Sequence, residues 1–397
     1  MTNGPKIAAI VTKFFKDSHA HHIVDRFLEG YGWNGRHHRP AVDLVSMYVD
    51  QVDDEDLSGD RFQRFTTVKK CDSISEALTL GGSKLAVDGV LLIGEHGEYG
   101  TNEKGQYLYP RYEFFKQIVQ VFADSGRSVP VFNDKHLSWK WQHAKEMYDL
   151  SQQMGFAFMA GSSLPVTWRL PPIDMPMGAK VNEALCIGYG GVDSYDFHGL
   201  ETIQCMVERR AGGESGVQWI QAYKNENFWK AFDEHVWSHE LFQAALLRSH
   251  NVKLESRGSN TMIPTVEQIK ATAKEAIAYR YRHADGLKCT MILLNGFISD
   301  FNFAASLAGA DNPLSTQMYL QMPSDNSALA GFFSPLCQHI EQMFLTGKAN
   351  YPLERALLTT GLTEAAVDSL HQGQKRVETP HLDVVYQPPS QSMFWQT

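Results

Sequence analysis

Two places along the chain carry residues suited to acid–base chemistry. Lys135 follows the apolar run VPVFND, and His198 stands near the start of the helical segment DFHGLETIQ. The carboxyl end of a buried strand faces the crevice in which open α/β sheets bind ligands, so Lys135 is placed to meet one. An imidazole is the side chain best suited to removing a hydroxyl proton near neutral pH. The residue types therefore indicate chemistry at a hydroxyl group.

A long polar loop, GEHGEYGTNEKGQYLYPR, follows the most strand-like segment of the chain, VDGVLLI. Its residues include Glu95, His96 and Tyr99. Loops at the ligand face of a sheet carry binding residues, and aromatic faces stack on sugar rings while carboxylates accept hydrogen bonds from sugar hydroxyls. We expect this loop to bind a carbohydrate-like molecule, with an oligomer contact as the alternative.

The elements that position these residues alternate in the first part of the chain between short apolar strands and amphipathic helices. The segment IAAIV leads into a helix over about residues 18 to 29, and the strand-like VDLVSMYVDQ follows. The alternation continues through SISEALTLGG, VDGVLLIG, PRYEFFKQIVQVFADSG, VPVFNDK and SWKWQHAKEMYDLSQQMG. This pattern predicts an α/β domain over residues 1–165, a Rossmann-like parallel sheet covered on both faces.

The pattern changes after the proline-rich crossing LPVTWRLPPIDMP. The segments VQWIQAY, EAIAYRYRH, LKCTMILLNGF and FNFAASLAG have the period-two character of strands. We predict that residues 166–397 form an α+β domain with an open, mostly antiparallel sheet. A helix around YPLERALLTTGLTEAAVDSLHQG closes this domain, and an extended tail follows it.

The composition limits the partners. A hydrophobic content of 43% and a charged content of 20% are typical of a packed globular protein. The net charge of −9 supplies no basic field for nucleic acid or for anionic membranes. No segment approaches the roughly 18 apolar residues of a membrane helix, and the amino terminus lacks a signal-peptide pattern. Scattered cysteines favour reduced thiols, so we expect a cytoplasmic protein.

The order of the elements, together with VFNDKH and GYGGVDSYDFHGLE, resembles the Gfo/Idh/MocA family of sugar and polyol oxidoreductases, which includes glucose-fructose oxidoreductase and inositol dehydrogenase. Asp134, Lys135 and His136 stand in the place of the family's Glu-Lys-Pro motif. His198 matches a histidine at the start of a helix in the second domain. The resemblance implies hydride transfer to NAD, with Lys135 and His198 at the reacting carbon, in a homo-oligomer that acts on a sugar, polyol or sugar-derived acid.

The family's aspartate, four residues before the histidine, falls on Ser194. Asp193 and Asp196 flank this position and are the candidates to orient the His198 ring or to share its proton, so we include both among the catalytic residues. Glu201 matches the motif's final acid. The resemblance also places the TWR segment beside the substrate, where an arginine binds a carboxylate or phosphate. The candidate substrate residues are thus His96, Tyr99, Trp168, Arg169 and Glu201.

The family's glycine-rich turn after the first strand is replaced in this chain. When the histidine that starts the family's first helix is laid on His19, the glycine positions fall on Val11, Lys13 and Lys16. Glycines at these positions let a pyrophosphate approach the helix amino terminus, and side chains obstruct it. Asp50 matches the acid that receives the ribose hydroxyls and favours NAD over NADP. The residues assigned to the cofactor are Lys13, Ser18, His19, Asp50, Glu95 and Asp134.

Two alternatives keep the cleft without hydride transfer. In the first, the protein is a lyase, epimerase or hydrolase on a sugar derivative, in which Glu95, His96, His136 and His198 could bind a divalent metal such as manganese or zinc. In the second, the protein only binds a metabolite, and the open sheet assembles a homo-oligomer. The spacing of these residues does not compel a metal site.

Overall fold

The computed structural model of the protein describes residues 4–253, 263–322 and 330–396, so the outermost residues of the two predicted domains lie outside it. The first part contains β1 (Lys6–Lys13), α1 (His19–Glu29), β2 (Tyr31–Trp33), β3 (Arg36–His38), β4 (Asp43–Gln51), α2 (Ser58–Arg64), β5 (Lys69–Cys71), α3 (Ile74–Thr79), β6 (Gly89–Ile93), α4 (Arg111–Ser125), β7 (Val131–Asp134), α5 (Trp141–Met154) and β8 (Phe158–Gly161).

The second part contains β9 (Trp168–Leu170), β10 (Val181–Gly188), α6 (Asp196–Val207), β11 (Glu214–Ser215), β12 (Val217–Lys224), α7 (Glu226–Asp233), α8 (His239–Leu246), α9 (Val266–Thr272), β13 (Glu275–His283), β14 (Lys288–Asn295), β15 (Phe301–Leu307), β16 (Leu314–Tyr319), α10 (Phe333–Thr346), α11 (Leu353–His371), β17 (Val377–Glu378) and β18 (Val385–Tyr386). Among the described residues, no helix combines the length and apolar character needed to cross a lipid bilayer.

The first sheet is six-stranded and parallel, in the order β5-β4-β1-β6-β7-β8. Every residue of the run Ile7–Val11 in β1 is fully buried, as is expected for a strand covered by helices on both faces. The chain runs outwards from β1 in both directions, and ligands of such sheets bind where the order reverses, at the carboxyl ends of the strands. The predicted Rossmann-like sheet is confirmed.

Local capping explains where the first helices begin and end. The Ser18 hydroxyl accepts a hydrogen bond from the His21 amide at 3.1 Å, and the Ser73 hydroxyl accepts one from the Glu76 amide at 3.1 Å. Each bond satisfies an amide at a helix amino terminus that has no partner within the helix. Helix α4 ends at Gly126, whose φ of +65° favours glycine. The sequence predicts these boundaries within a few residues.

The second sheet is eight-stranded, in the order β17-β12-β13-β14-β10-β15-β16-β9. Strands β10 and β14 pair in parallel, and the other neighbours pair antiparallel. This arrangement confirms the open, mostly antiparallel sheet. One face packs against α6 and α11, with Leu200 and Ile203 of α6 in the same buried cluster as Cys186 and Met291 of the sheet.

The opposite face of this sheet is covered by α7, α8 and α9. Phe228, Trp237 and Leu241 pack there against Leu185 and Ile292 of the sheet. Sequence analysis assigns no helix to this segment, because α7 and α8 are only eight residues each and show little more than two turns of periodicity. Helices of the same chain thus cover this face of the sheet, so it is not free to pack against another subunit. The homo-oligomer stays a prediction.

The last two long helices connect the two sheets. Helix α10 returns to the first sheet, where Phe344 lies over Gly89 of β6. Helix α11 packs between α5 and α6, and its Thr360 hydroxyl accepts a hydrogen bond from the Leu137 amide at 3.0 Å. Contacts from the end of the chain therefore hold the strand ends of the first sheet against α6.

Replacing Gly89 tests the return of α10 to the first sheet. A Cβ at this position would lie 2.5 Å from the Phe344 ring, so we expect Gly89→Ala to lower the free energy of unfolding by about 1–3 kcal/mol. Urea denaturation measures it. Gly59→Ala is the matched control, because nothing lies within 4 Å of its added Cβ on helix α2. We expect this control to be neutral or to stabilise by up to about 1 kcal/mol, and equal effects of both changes would contradict the packing.

Candidate active site

Lys135 and His198 meet between the two sheets. Lys135 follows β7 directly, His198 lies in the first turn of α6, and Lys135 Nζ donates a hydrogen bond to His198 Nε2 at 2.7 Å. Only 2% of Lys135 and 7% of His198 is exposed. The structure thus brings the two residues together that the resemblance assigns to the reacting carbon, in a place shielded from bulk water.

The backbone of Lys135 has an uncommon conformation. Its φ of +66° lies in the left-handed region, which side chains other than glycine rarely adopt. Two hydrogen bonds to the end of β8 hold it there. The Lys135 amide donates to the Gly161 carbonyl, and the Gly161 amide donates to the Lys135 carbonyl, both at 3.1 Å. The strand therefore bends at Lys135 and turns the side chain towards α6.

Glu95 supplies the negative charge of the site. Its carboxylate forms an ion pair with Arg111 at the start of α4, and its Oε1 lies 3.7 Å from Lys135 Nζ. Burial by itself would raise the pKa of Glu95, but the charges of Lys135 and Arg111 outweigh burial and hold the pKa below its usual range. Arg111 also donates to His136 Nε2 at 3.1 Å. Glu95 is thus a fixed anion between two buried cations.

His198 is a neutral imidazole near neutral pH. Burial, followed by the neighbouring charge of Lys135, places its pKa well below the usual histidine value. Because Nε2 accepts from Lys135, the ring proton belongs on Nδ1, which has no partner among the described residues. The rings of Tyr195 and Phe301 lie edge-on to the imidazole at 5.6 and 5.9 Å. A neutral base beside an ammonium group can exchange a proton with it and with a ligand.

The carboxylates of Asp193 and Asp196 bind backbone amides rather than the His198 ring. Asp196 accepts from the amides of Asp193, Ser194 and Phe197 at 2.8–3.0 Å and from the Tyr279 hydroxyl at 3.0 Å. Asp193 accepts from the Tyr107 amide at 2.8 Å. Asp196 therefore shapes the start of α6, and Asp193 ties the polar loop after β6 to it. Both support His198 through the backbone.

Lys13, Ser18, His19 and Asp134 of the predicted cofactor group each have a partner in this structure. Lys13 Nζ lies 2.6 Å from Asp53, and His19 Nδ1 lies 2.7 Å from Asp134 Oδ2. The Ser18 hydroxyl caps its own helix. His19 is also 5.8 Å from the ring of His96, which packs against Phe15 at 5.0 Å.

Asp50 and the polar loop close the same crevice from the side of β4. The hydroxyls of Tyr48 and Tyr99 donate to the two Asp50 oxygens at 2.5 and 2.7 Å. The Gln51 side chain donates to the Glu98 carbonyl at 3.2 Å and accepts from the Glu98 amide at 2.8 Å. The loop that begins at Glu95 thus crosses to the end of β4 and bonds to the exposed carboxylate that the resemblance assigns to a ribose.

The turn after β1 and Asp50 make contacts that a bound dinucleotide would have to replace. Glycine would leave the turn after β1 open, but Phe14 fills the core there and Phe15 packs on His96. The Asp50 oxygens already accept from two tyrosines, and Lys13 is held by Asp53. A bound dinucleotide would therefore have to replace the present contacts of Lys13, Phe15 and Asp50, although Asp50 is exposed and lines a cavity of about 280 Å³.

The remaining predicted substrate residues lie apart from the pair. Trp168 packs against Trp395 of the tail with tilted rings whose centroids are 4.1 Å apart, and Arg169 lies 2.6 Å from Asp174. Trp168 and Arg169 line a cavity of about 620 Å³ at the edge of the second sheet, together with Tyr319. Of the predicted substrate group, His96 and Tyr99 stay beside the crevice, and Glu201 is buried beneath Lys135.

The metal hypothesis finds no support. Within residues 4–253, 263–322 and 330–396, no group of three or more histidine, cysteine or acidic side chains is placed to hold a metal ion. Glu95 and His136 both face Arg111, whose positive charge opposes a cation there.

Sequence analysis includes Arg111 as the last residue of the polar loop but misses its pairing with Glu95, and it assigns no role to Tyr195 or Gly161. Arg111 is fully buried between Glu95 and His136, and Tyr195 lies with its ring centroid 5.6 Å from Lys135 Nζ. A signal for Arg111 is its place in YPRYEFF, directly after the polar loop, where an arginine can compensate an acid of that loop.

Known family models and curated protein sequences do not match this chain. Solved structures share its fold over nearly the whole length. GenD2 from gentamicin A biosynthesis, in complex with NAD, has 12% identity and a TM-score of 0.56 over 95% of this chain and 97% of its own. Myo-inositol dehydrogenase from Lactobacillus casei, in complex with NAD(H) and myo-inositol, has 10% identity and a TM-score of 0.56 over 94% and 96%.

Scyllo-inositol dehydrogenase from Lactobacillus casei, with bound NAD(H) and scyllo-inositol, has 9% identity and a TM-score of 0.56 over 95% of this chain and 99% of its own. At this identity the likeness shows the fold alone. The architecture is thus the one that these solved dehydrogenase structures share.

Asp193 makes the stability of the protein depend on pH. Burial, and then the charge of Asp196, raises the pKa of Asp193 from 3.8 to about 7. The folded state therefore binds more protons than the unfolded state between these values, and stability falls as the pH rises through this window. Asp193→Asn removes the titrating carboxyl group and with it this loss of stability, and the asparagine side chain still accepts a hydrogen bond from the Tyr107 amide. We expect the variant to be more stable than the wild type at pH 8, by at most about 4 kcal/mol.

Urea denaturation between pH 4 and pH 8 measures this difference. The exposed Asp311 provides the control, because Asp311→Asn leaves the pH dependence as it is in the wild type. An Asp193→Asn variant whose stability follows the same pH curve as the wild type would refute the assignment.

Proposed function

We propose that the protein is an acid–base enzyme that acts on a sugar, polyol or sugar-derived acid, with Lys135 and His198 at the reacting carbon. The main observation in support of this proposal is the 2.7 Å hydrogen bond between Lys135 Nζ and His198 Nε2 in a buried site. A neutral imidazole takes a proton from the substrate, and the adjacent ammonium stabilises the negative charge that develops. Both features are needed for removing a proton from a carbon beside a carbonyl group.

Unpartnered polar atoms around the pair support a ligand rich in hydroxyl groups. Within the described part of the chain, buried atoms without a hydrogen-bond partner include His96 Nε2, Arg111 Nε, Asp134 Oδ1, His136 Nδ1 and His198 Nδ1. Unsatisfied buried polar groups are rare and costly, so a cluster of them at one crevice favours a ligand or water that pairs with them. Such a set of donors and acceptors suits a polyhydroxylated molecule.

The reaction that the geometry favours needs no dinucleotide. As Lys135 Nζ moves from His198 Nε2 to the carbonyl oxygen of an oxidised sugar derivative, the freed Nε2 takes the proton from the neighbouring carbon. The electron pair of the C–H bond forms an enolate that Lys135 stabilises. A proton delivered by water to the opposite face of that carbon gives an epimer, and the His198 imidazolium returns its proton to solvent. Loss of a β-hydroxyl as water, with a proton from the same pair, gives an elimination product. The protein is then an epimerase or lyase.

The oxidoreductase itself is the second candidate function. The specific observation in its favour is that proteins with this fold are dehydrogenases in complex with NAD, two of which also hold an inositol. The contacts of Phe15 and Asp50 oppose it, since they occupy the crevice that a dinucleotide would need. Both candidates use the same two residues at the reacting carbon.

Substitution of the pair tests the proposed role. We expect Lys135→Ala and His198→Ala each to lower the rate of substrate proton exchange by about 10²–10⁴-fold, with little further loss in the double variant because the two act as a unit. NMR follows the uptake of solvent deuterium at the carbon beside the carbonyl in keto-inositols and keto sugar acids. His371→Ala, at the exposed end of α11, is the control and keeps the wild-type rate. If exchange persisted at the wild-type rate in both single variants, Lys135 and His198 would not be the residues that catalyse it.

Titration with NAD and NADH distinguishes the two candidate functions. We expect no saturable binding at millimolar cofactor, because the turn after β1 lacks glycines, Phe15 packs on His96, and the Asp50 oxygens already accept from two tyrosines. Calorimetry or quenching of tryptophan fluorescence measures it. Saturable binding that weakens in Asp50→Ala would instead establish the dehydrogenase and overturn the dinucleotide-free reaction.

A further inference from the structure

The position of Lys135 depends on the end of β8. Gly161 forms two 3.1 Å hydrogen bonds with the backbone of Lys135, and its own φ of +122° is one that residues with side chains rarely adopt. The left-handed bend that turns Lys135 towards His198 therefore persists only if Gly161 stays in place.

A buried carboxyl group of α6 holds this strand end. A Cβ on Gly161 would lie 2.4 Å from Glu201 Oε1, so the space that glycine leaves open is filled by Glu201. The amide and hydroxyl of Ser162 both donate to Glu201 Oε2, at 2.9 and 2.5 Å. Glu201 is 1% exposed, and these contacts involve the main chain and side chain directly beside Gly161.

We propose that Glu201 is a positioning residue that sets Lys135 through Ser162 and Gly161. Glu201 lies one helical turn beyond His198 on α6, so a single helix supplies the base and fixes the backbone that presents its lysine partner. The role of the pair in this inference rests on the proposed function, whereas the placement of Lys135 by Glu201 does not. Glu201 acts beneath the pair and does not touch the substrate.

The reactivity of the Lys135 amine tests the placement without any substrate. Trace acetylation with acetic anhydride, followed by peptide mass spectrometry, gives the labelling rate of each lysine. In Glu201→Ala we expect the Lys135 rate to rise by about tenfold, because two buried hydrogen bonds that restrain the strand end are lost. Glu201→Gln keeps the rate within about twofold, since an amide oxygen accepts the same two bonds. Rescue by glutamine separates positioning from a requirement for charge.

Controls address folding and local packing. Thr202→Val alters the neighbouring buried residue and leaves Ser162 untouched, so its Lys135 rate equals that of the wild type. Should Glu201→Ala fail to fold, Ser162→Ala tests the same proposal, because it removes only the hydrogen bond from the Ser162 hydroxyl. We expect this variant to raise the labelling rate of Lys135 by about threefold. An unchanged Lys135 rate in the alanine variants, or an equal rise at every lysine, would overturn the positioning role.

Deuterium exchange into keto-inositols and keto sugar acids, measured on the same proteins, separates the two claims. If the wild type catalyses no exchange while the Lys135 label still rises in Glu201→Ala, the proposed function fails and the positioning stands. If the wild type is active and Glu201→Ala keeps both its activity and its labelling rate, the positioning fails and the function stands. When both hold, kcat falls in Glu201→Ala and recovers in Glu201→Gln.

Discussion

The pairing of Glu95 with two buried cations is the interaction on which the rest of the site depends. Arg111 is fully buried and Lys135 is 2% exposed, and a buried charge without a partner costs several kcal/mol. One carboxylate compensates both, although the three residues come from the loop after β6, the start of α4 and the end of β7. Their mutual attraction therefore fixes three chain segments relative to one another, and the carboxyl edge of the sheet has one arrangement in which all three charges are satisfied.

The same charges determine the protonation of His198. Burial disfavours the imidazolium, and the positive charge of Lys135 adds to this effect. The negative charge of Glu95 raises the pKa of His198, but its influence is weaker. The imidazole therefore stays neutral beside a cation, which is the combination that a base needs when an anion develops on its substrate. A site with an acid directly against His198 would favour the imidazolium instead. Asp193 and Asp196 face the backbone, and their placement is consistent with this requirement.

The meeting of Lys135 and His198 is implied by the resemblance to the Gfo/Idh/MocA family, whereas the strand pattern alone places only Lys135 at the carboxyl edge of the parallel sheet. The partner of Arg111 could not be predicted, since nothing in the spacing of Glu95 and Arg111 shows that the loop between them folds back. The role of Asp193 could not be predicted either, because a position in the sequence does not show whether a carboxylate faces a ring or an amide. Helices α7 and α8 escape prediction because eight residues show too little periodicity, and α10 packs on a sheet far from it in sequence.

The turn after β1 has the backbone path that this fold requires, but its side chains differ from the glycines of a dinucleotide site. Its backbone leads from a buried strand into a capped helix although Val11, Lys13 and Lys16 stand at the positions where the resemblance expects glycines. Packing Phe14 into the core and Phe15 on His96 stabilises the apolar side of this turn, and an open turn would leave those contacts unmade. At the carboxyl edge of the first sheet, Lys135 and His198 come together from two different elements. A shared fold does not by itself determine the function, so the side chains at this edge and at the turn are the features that the proposed function depends on.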